Sequence, residues 1–253
     1  MKPTVVIAHT AFGDDLAVER AVLRPLDAEI IHTGNLTEPA ALAAVKSADA
    51  LMVTLERVTA PIINSMERCR VISRAGTGLD TIDIPTATAR GIWVAYVPDY
   101  SIDEVSTHAI ALLLAQARGV VPLVQSTRRG QWDPMRSGPV HRLRDQTLGI
   151  IGFGRIGQAT AAKGKGLGLK VIVFDPFLND DAVERLGVRA VDLETLAREA
   201  DYISLHTPLL DSTHHIINAH FLSQVKPTAY LINAARGPLV DETALLHAVR
   251  NGQ

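Results

Sequence analysis

Three glycines near the middle of the chain have the spacing of a phosphate-binding turn. Gly152, Gly154 and Gly157 form the pattern G-x-G-x-x-G directly after the apolar run LGII. In this pattern the first glycine permits a tight turn, the second lets the backbone approach a pyrophosphate, and the third lets a helix pack closely on the strand. The helix N-terminus supplies free N–H groups and a positive dipole end. The spacing therefore predicts a site for the pyrophosphate of a dinucleotide.

An acidic residue follows where a ribose ligand is expected. Asp175 ends a second apolar run, 18 residues after Gly157, close to the roughly 20 residues typical of a carboxylate that binds a ribose 2′-hydroxyl. The same carboxylate would repel a 2′-phosphate, so the sequence predicts NAD rather than NADP. The glycine pattern alone also fits a simple turn between strand and helix. Strand, turn, helix, strand and acid in this order favour the dinucleotide site.

Two further segments carry candidate chemistry at predicted strand ends, where ligands bind in open α/β sheets. In RAGTGLD, Arg74 to Asp80, two glycines flank Thr77, so backbone N–H groups can converge on an anion such as a carboxylate. A turn without a ligand is an equally good interpretation. In NAARG, Asn233 to Gly237, small side chains leave room for a flat ring, and Arg236 presents a planar fork to a carboxylate or carbonyl oxygen. Its alternative is a surface arginine beside a turn glycine.

The histidines divide into one candidate and several ordinary residues. His206-Thr207-Pro208 follows the run YISL and either faces the cofactor or simply ends a strand. His108, His214 and His215 have no nearby acid or nucleophile motif, which favours a helix or surface role. The sequence contains no Ser-His-Asp order, no H-E-x-x-H and no P-loop, and no metal site is expected.

Short apolar runs alternate with helix-like segments along the chain. A polar stretch from Arg128 to Arg144 divides these runs into two groups. The runs before it are VVIA, AEII, ALMV, RVIS and GIWVAYV, and the runs after it are LGII, VIVF, VRAV, YISL and YLINAA. This rhythm is typical of parallel sheets with helices on both faces. The segment VPDY, ending at Tyr100, interrupts it. We therefore predict two α/β lobes, residues 1–99 and residues 100–253, the second beginning with a helix that ends near Arg118.

Composition limits the functional classes. The chain has 253 residues, 47% hydrophobic and 21% charged, with a net charge of −2, and no apolar run approaches the roughly 20 residues of a membrane span. The N-terminus lacks the pattern of a signal peptide. Cys69 is the single cysteine, which suits a reducing compartment. We expect a cytoplasmic protein whose partners are neither nucleic acids nor membranes.

Four motifs together resemble those of the D-isomer-specific 2-hydroxyacid dehydrogenases, and the resemblance extends essentially from end to end of the chain. The motifs are RAGTGLD, GFGRIG with the distal Asp175, SLHTPL and NAARG. Three segments look closest to the C-terminal-binding-protein branch, namely VPDY, GQWD and GPVHRLRDQTLGIIGFGRIG. The segment RAGTG is similar to the loop of 3-phosphoglycerate dehydrogenases. The resemblance implies a flavodoxin-like substrate lobe and a doubly wound, Rossmann-type NAD-binding lobe. It also implies the interconversion of D-2-hydroxy acids and 2-oxo acids by hydride transfer.

The resemblance implies roles for individual residues. Arg236 would be the catalytic arginine, which orients the substrate carboxylate and polarises the carbonyl. The residues implied at the substrate are Arg74, Gly76, Thr77 and Gly78. The residues implied at the cofactor are Thr77, Gly152, Gly154, Arg155, Ile156, Gly157, Asp175, His206, Thr207, Pro208, Thr213, Ala234 and Arg236.

The chain departs from the family pattern at its end. The family's acid/base histidine and its glutamate correspond to sequence beyond Gln253, and a helix from Asp241 to Gly252 should be followed by another strand. We expect an incomplete chain, truncated at its C-terminus, and the sequence leaves the cause open. The printed chain should then bind NAD(H) and turn over 2-oxo acids slowly or not at all.

Two functions and one assembly state follow as expectations. The first function is an NAD-dependent D-2-hydroxyacid dehydrogenase, and the alternative is a non-catalytic NAD(H)-responsive binding protein like the corepressor relatives. The resemblance, together with the apolar run Val120 to Val124, predicts a homodimer. The identity of the 2-hydroxy acid is unreadable, because side chains above the anion loop determine it.

Overall fold

The computed structural model describes residues 2–8, 15–34, 36–37 and 39–252. The chain divides into two compact units, Met1–Tyr100 and Ser101–Gln253. Within the described ranges, no single helix is long and apolar enough to cross a membrane. The helices Ile102–Ala117 and Val120–Arg128, bent by 64° at their junction, meet that length and composition criterion only as a pair.

The first unit contains a parallel sheet in the order β2-β1-β3-β4-β5, which is the flavodoxin-like order. Its strands are β1 Thr4–Ala8, β2 Glu29–Thr33, β3 Ala50–Val53, β4 Val71–Arg74 and β5 Trp93–Tyr96. Its helices are α1 Ala17–Leu23, α2 Pro39–Lys46, α3 Ala60–Ser65 and α4 Ile84–Ala89, with a 3₁₀ turn at Arg24–Leu26. The predicted fold of this lobe is confirmed.

Burial on both faces explains why the strands of this unit are continuous apolar runs. Successive residues of a strand point to opposite faces of the sheet. Val6 packs with Leu51 in one core cluster, whereas Val5 and Ile7 pack with Leu16 on the other side. Each side is therefore covered, as expected for parallel sheets.

The second unit contains a parallel sheet in the order β10-β9-β6-β7-β8, the first five strands of the Rossmann order. Its strands are β6 Thr147–Ile151, β7 Lys170–Phe174, β8 Arg189–Ala190, β9 Tyr202–Leu205 and β10 Tyr230–Asn233. Its helices are α5 Ile102–Ala117, α6 Val120–Arg128, α7 Arg155–Gly166, α8 Asp180–Leu186, α9 Leu193–Glu199, α10 Ala219–Gln224 and α11 Glu242–Arg250. Short 3₁₀ turns lie at Pro134–Ser137, Leu143–Asp145 and Gly237–Leu239. The predicted Rossmann architecture is confirmed, although the run VRAV forms a strand of only two residues.

The register of this sheet aligns the residues that follow its strands. Ile151 of β6 pairs with Phe174 of β7 and with Leu205 of β9, and Leu205 pairs with Asn233 of β10. All four are the last residues of their strands. The loops after β6, β7, β9 and β10 therefore begin side by side along one edge, where ligands bind in open α/β sheets.

Candidate functional site

Two of the three glycines after β6 are required by close packing. Gly152 has a φ of +94°, and a Cβ there would lie 2.6 Å from the backbone nitrogen of Thr207. A Cβ on Gly157 would overlap the carbonyl oxygen of Gly152. Gly152 thus makes the tight turn against the loop after β9, and Gly157 lets α7 sit directly on that turn. These are the contacts that the spacing predicts.

The middle glycine, Gly154, has a different environment. A Cβ at Gly154 would have no atom of the described residues within 4 Å. Gly154 is also the N-cap of α7, and within the described chain no side chain caps this helix. The first-turn N–H groups of a helix have no intrahelical partners. The loop therefore presents unshielded backbone donors and room for a phosphate group, which fits the pyrophosphate of a dinucleotide.

Asp175 lies beside this turn, immediately after β7. One carboxylate oxygen accepts the N–H of Phe153 at 2.7 Å, and the other accepts the N–H of Phe177 at 2.8 Å. A carboxylate has about four lone-pair sites, so acceptor capacity is left for the hydroxyls of a ribose. The structure therefore places a negative charge next to the glycine turn, as predicted from the spacing.

The aligned strand ends put four predicted site residues in one row. Asp175 follows the last residue of β7, and Gly152 follows that of β6. His206 and Ala234 follow the last residues of β9 and β10 in the same way. At about 4.8 Å per strand spacing, this row is roughly 14 Å long. An extended ligand can therefore contact the whole row.

His206 is a half-buried neutral base within this row. Its backbone N–H donates to the carbonyl of Ile151 at 2.8 Å, and its Nε2 lies 2.9 Å from the hydroxyl of Ser204. Burial lowers its pKa from 6.5 to about 4. The imidazole is therefore uncharged near neutral pH, which suits contacts to uncharged cofactor groups better than proton donation.

The loop after His206 is closed by Thr213. Its hydroxyl lies 2.7 Å from the carbonyl oxygen of Pro208, to which it donates, and accepts the N–H of Leu210 at 2.8 Å. Thr207 is buried and its hydroxyl lies 3.2 Å from the Pro208 carbonyl. Thr213 thus shapes the loop in which Thr207 and Pro208 are held, and its contact with a cofactor stays a prediction.

Arg236 is carried by a loop that Asn233 folds. The Asn233 side chain accepts the N–H of Ala235 at 3.0 Å and donates to the carbonyl of Arg236 at 2.8 Å. The Arg236 Nη1 donates to the carbonyl of Ala235 at 2.9 Å. The backbone on both sides of the arginine is therefore fixed directly after β10, beside the loop that follows β9.

The anion loop belongs to the first unit. The guanidinium of the buried Arg74 lies over Gly76, with Nη1 2.6 Å from the position of a Cβ on that residue. Backbone bonds join the loop to its neighbours, since Ala75 N–H donates to Val53 at 2.9 Å and Val97 N–H donates to Gly76 at 3.2 Å. Thr77 and Gly78 continue the same loop. The roles of these residues toward substrate and cofactor stay predictions.

In the part of the chain that the structure describes, no three His, Cys, Asp or Glu side chains come together as metal ligands.

Comparison with known proteins decides the family. The model of the D-isomer specific 2-hydroxyacid dehydrogenase NAD-binding domain matches residues 110–253. The chain is 40% identical over 227 residues to D-3-phosphoglycerate dehydrogenase from Methanocaldococcus jannaschii, covering 89% of this chain and 43% of that protein. The chain belongs to the D-isomer specific 2-hydroxyacid dehydrogenase family.

Other members of the family show the same relationship. Glyoxylate reductase from Thermococcus litoralis is 40% identical over 215 residues, covering 82% of this chain and 65% of that protein. D-lactate dehydrogenase from Aquifex aeolicus, solved with NAD and lactic acid, superposes with a TM-score of 0.90 and 30% identity over 98% of this chain and 74% of that one. The chain thus spans about 43% and 65% of the two sequence relatives described above.

Membership of the family confirms two sequence-based expectations. The resemblance to 3-phosphoglycerate dehydrogenases is borne out by a relative of that name. NAD as the cofactor is confirmed because the matching model is that of the family's NAD-binding domain, and its residues 110–253 include the whole glycine turn.

Sequence reasoning missed the side chains that hold these loops. The Gln158 side chain contacts the glycine turn, the Arg185 side chain contacts Gln158, and Asn233 folds the Arg236 loop. An asparagine at the end of a strand is a known signal for a turn, so Asn233 was detectable. Gln158 and Arg185 carry no such signal, because helix surfaces often bear these residues and only the fold shows what they reach.

Proposed function

We propose that this protein is an NAD-dependent oxidoreductase that interconverts a D-2-hydroxy acid and its 2-oxo acid. The observation that carries the proposal is the row of strand ends in the second unit. It combines an open helix N-terminus at Gly154, a carboxylate at Asp175 and an arginine at Arg236 on one edge. Sequence relatives named as glyoxylate reductase and glycerate dehydrogenase support the same reaction class.

The cofactor-binding residues fit NAD. The N–H groups that begin α7, with Arg155 and Ile156 in its first turn, would hold the pyrophosphate, and Asp175 would accept the hydroxyls of the adenosine ribose. Ala234 leaves room for the nicotinamide ring. When bound, NAD supplies the hydride chemistry.

Arg236 has the properties of a substrate-orienting group. Its planar guanidinium can hold a carboxylate through two parallel hydrogen bonds and place a positive charge beside the carbonyl oxygen that becomes an alkoxide. Within the first unit, the backbone N–H groups of Gly76, Thr77 and Gly78 would suit a substrate carboxylate. The substrate is thus a small 2-hydroxy or 2-oxo acid.

Asp175 supports a preference for NAD(H) over NADP(H), because a carboxylate repels a 2′-phosphate. We expect Asp175→Ser to reduce the ratio of the NADPH dissociation constant to the NADH dissociation constant. Its carboxylate also holds the Phe153 and Phe177 N–H groups, so the change should lower the affinity for NADH rather than create strong NADPH binding. Calorimetric titration with both nucleotides measures this, and equal affinity of the unchanged protein for NADPH and NADH would refute the role of Asp175.

Turnover tests the whole proposal. Because the curated relatives are longer, we would assay both residues 1–253 and the product of the complete coding sequence. The assay uses NADH with pyruvate, glyoxylate, hydroxypyruvate and 3-phosphohydroxypyruvate. Arg236→Lys keeps the charge but loses the fork, so kcat/KM should fall about 10²–10³-fold while the Kd of NADH changes little.

Arg250→Lys, at the exposed end of α11, is the matched control and should retain full activity. Unchanged kcat/KM in Arg236→Lys would contradict the catalytic assignment. Tight NADH binding without turnover of any acid would favour the alternative, a non-catalytic NAD(H)-responsive binding protein like the corepressor members of the family.

We further propose that the protein forms a homodimer through α6 and the 3₁₀ turn after it. Val121 of α6 is 49% exposed, and Trp132 and Met135 are 90% and 83% exposed. A Cβ on Gly119 would overlap the carbonyl oxygen of Ser137, so the turn folds back onto the start of α6. Large exposed apolar patches mark interfaces.

Sedimentation velocity measures the assembly state. The unchanged protein should sediment as a dimer, and the double change Val121→Glu with Trp132→Glu should shift it to monomer. Leu26→Glu in the first unit, which is also exposed, is the control and should leave the dimer intact. A monomer at every concentration of the unchanged protein would remove this proposal.

A further inference from the structure

The residue between the first two glycines of the turn is held from three sides. The Phe153 ring is buried, with 4% exposure, in the main core of the second unit. The Phe153 N–H donates to Asp175 Oδ2 at 2.7 Å, and the Phe153 carbonyl oxygen accepts a hydrogen bond from Gln158 Nε2 at 3.0 Å. Both backbone polar groups of Phe153 therefore bond to side chains of other elements.

These two bonds fix the two peptide planes next to Phe153. In a trans peptide, the C=O and the N–H of one plane point in opposite directions. Asp175 holds the plane between Gly152 and Phe153, whose carbonyl oxygen lies against Gly157. Gln158 holds the plane between Phe153 and Gly154, so the N–H of Gly154 points away from Gln158. The direction of this N–H, one of the donors beside the pyrophosphate position, is thus fixed by a side chain.

Arg185 fixes the orientation of the Gln158 amide. Its Nη2 lies 3.0 Å from Gln158 Oε1. Because a guanidinium only donates hydrogen bonds, the amide oxygen must face Arg185. The amide NH₂ group is therefore directed at the Phe153 carbonyl. Hydrogen bonds therefore connect Arg185 of α8 to Gln158 of α7, and Gln158 to the turn, although neither side chain is part of the glycine motif.

We propose that Gln158, oriented by Arg185, is a positioning residue of the cofactor site. It keeps the Phe153–Gly154 peptide from rotating, so the turn is ordered for a phosphate before the nucleotide arrives. Glycine at 154 makes this rotation easy, which is why a side-chain bond is needed there. The inference rests on the proposed NAD site and adds two residues that act through the backbone of the turn.

Three substitutions separate positioning from simple packing. Gln158→Met keeps the size of the side chain and loses both hydrogen bonds. Gln158→Glu keeps the contact with Arg185 but presents only acceptors to the Phe153 carbonyl. Arg185→Met leaves Gln158 in place without its orienting partner and alters an exposed side chain. Arg198→Met, an exposed arginine on α9 that pairs with Glu194, is the matched control.

Calorimetry with NADH and with ADP-ribose measures the effect without turnover. Gln158→Met and Gln158→Glu should each raise both dissociation constants about threefold to tenfold, the value of one neutral hydrogen bond. Arg185→Met should raise them by a smaller factor, and Arg198→Met should leave them unchanged. Thermal unfolding of the nucleotide-free variants should shift by no more than about 4 °C, the cost of a hydrogen bond in a chain of this size. In turnover, KM for NADH should rise while kcat stays constant.

The outcomes distinguish this inference from the proposed function. If the unchanged protein binds neither nucleotide, the proposed NAD site fails and this inference fails with it. If the unchanged protein binds NADH and Gln158→Glu binds it equally well, only the positioning role is overturned. A loss of thermal stability well above about 4 °C in Gln158→Met and Arg185→Met that parallels the loss of affinity would also overturn it, because packing would then explain the effect.

Discussion

The two units of the chain hold the amino ends of their sheets in the same way. Asp49, just before β3, accepts the N–H of Thr4 at 2.8 Å, and Asp201, just before β9, accepts the N–H of Thr147 at 2.8 Å. The Thr4 N–H is the main cause that lowers the pKa of the Asp49 carboxyl. In each unit, an aspartate thus ties the start of the first strand to the start of a neighbouring strand, β3 beside β1 and β9 beside β6.

The carboxyl ends of the same sheets differ. After β4, Gly76 lies against the guanidinium of Arg74, so the first unit offers a buried cation of its own. After β6, Gly154 has no atom of the described residues within 4 Å and begins a helix of 12 residues. One loop is built around a side-chain charge, and the other around backbone donors and open space.

The difference teaches where function is determined in this chain. The amino ends, which hold the scaffold, are equivalent, and the carboxyl ends, which we propose to bind ligands, are not. A guanidinium suits a small carboxylate, because it is a fixed charge with a defined fork. A helix N-terminus with an open glycine suits a pyrophosphate, which needs several N–H groups and close approach of the backbone. Glycine substitutions test this contrast directly.

The largest effect is expected where a glycine is packed on backbone. Gly157→Ala would force its Cβ onto the Gly152 carbonyl, so the free energy of unfolding of the second unit should fall by about 3 kcal/mol or more. Urea denaturation and hydrogen exchange of residues 101–252 measure the loss. Gly166→Ala, in the same helix and with no atom of the described residues within 4 Å, is the control. Equal stability of the two variants would break the comparison.

The next effect is a pH dependence that belongs to the second unit. Thr54 follows β3 in the first unit and does not titrate, whereas His206 follows β9, the equivalent strand of the second unit, and its pKa is lowered to about 4. The unfolded chain then binds more protons between pH 6.5 and 4, so stability is full above about pH 6.5 and decreases as the pH falls through 4. The decrease should reach about 3 kcal/mol.

Urea denaturation at pH 7.5 and pH 4.5 measures this dependence. His206→Asn removes the titrating group and should lose less stability over the same interval than the unchanged protein. The difference between the two proteins isolates His206 from carboxylates such as Asp49, whose lowered pKa also removes stability at acid pH. Identical pH profiles would show that His206 does not carry the effect.

Gly154→Ala sharpens the comparison by separating binding from folding. Its Cβ would enter open space in the described structure, so the unfolding free energy should stay within about 1 kcal/mol of that of the unchanged protein. The same methyl group would stand where the backbone must approach the pyrophosphate, so the Kd of NADH should rise about tenfold to a hundredfold. Calorimetry and urea denaturation on one preparation measure both, and unaltered NADH affinity would contradict the assignment.

The smallest effect is expected in the first unit. Gly76→Ala would press on the end of the Arg74 side chain rather than on backbone, so the guanidinium can shift at little cost in stability. The KM of the 2-oxo acid should rise about tenfold through loss of one charge-assisted contact, with the Kd of NADH unchanged. Steady-state kinetics with NADH and the best 2-oxo acid measure this. Gly91→Asn, at a left-handed position with no described atom within 4 Å of a Cβ, is a control that should leave KM constant.

The sequence by itself determined the features that depend on neighbours along the chain. Continuous apolar runs predicted the parallel strands, because burial on both faces leaves no polar alternation. The glycine spacing predicted the separate tasks of Gly152, Gly154 and Gly157, because turn geometry and helix packing act within a few residues. The 18-residue spacing from Gly157 to Asp175 predicted a carboxylate at the next strand end.

Only the tertiary structure decided which of these pieces meet. The sheet order β10-β9-β6 brings Ala234 and His206 level with Gly152, and local periodicity contains no information about strand order. The same holds for Gln158 and Arg185, whose partners come from separate elements. Such contacts arise from packing between segments far apart in sequence, so the residues that hold the site in shape became visible only in the fold.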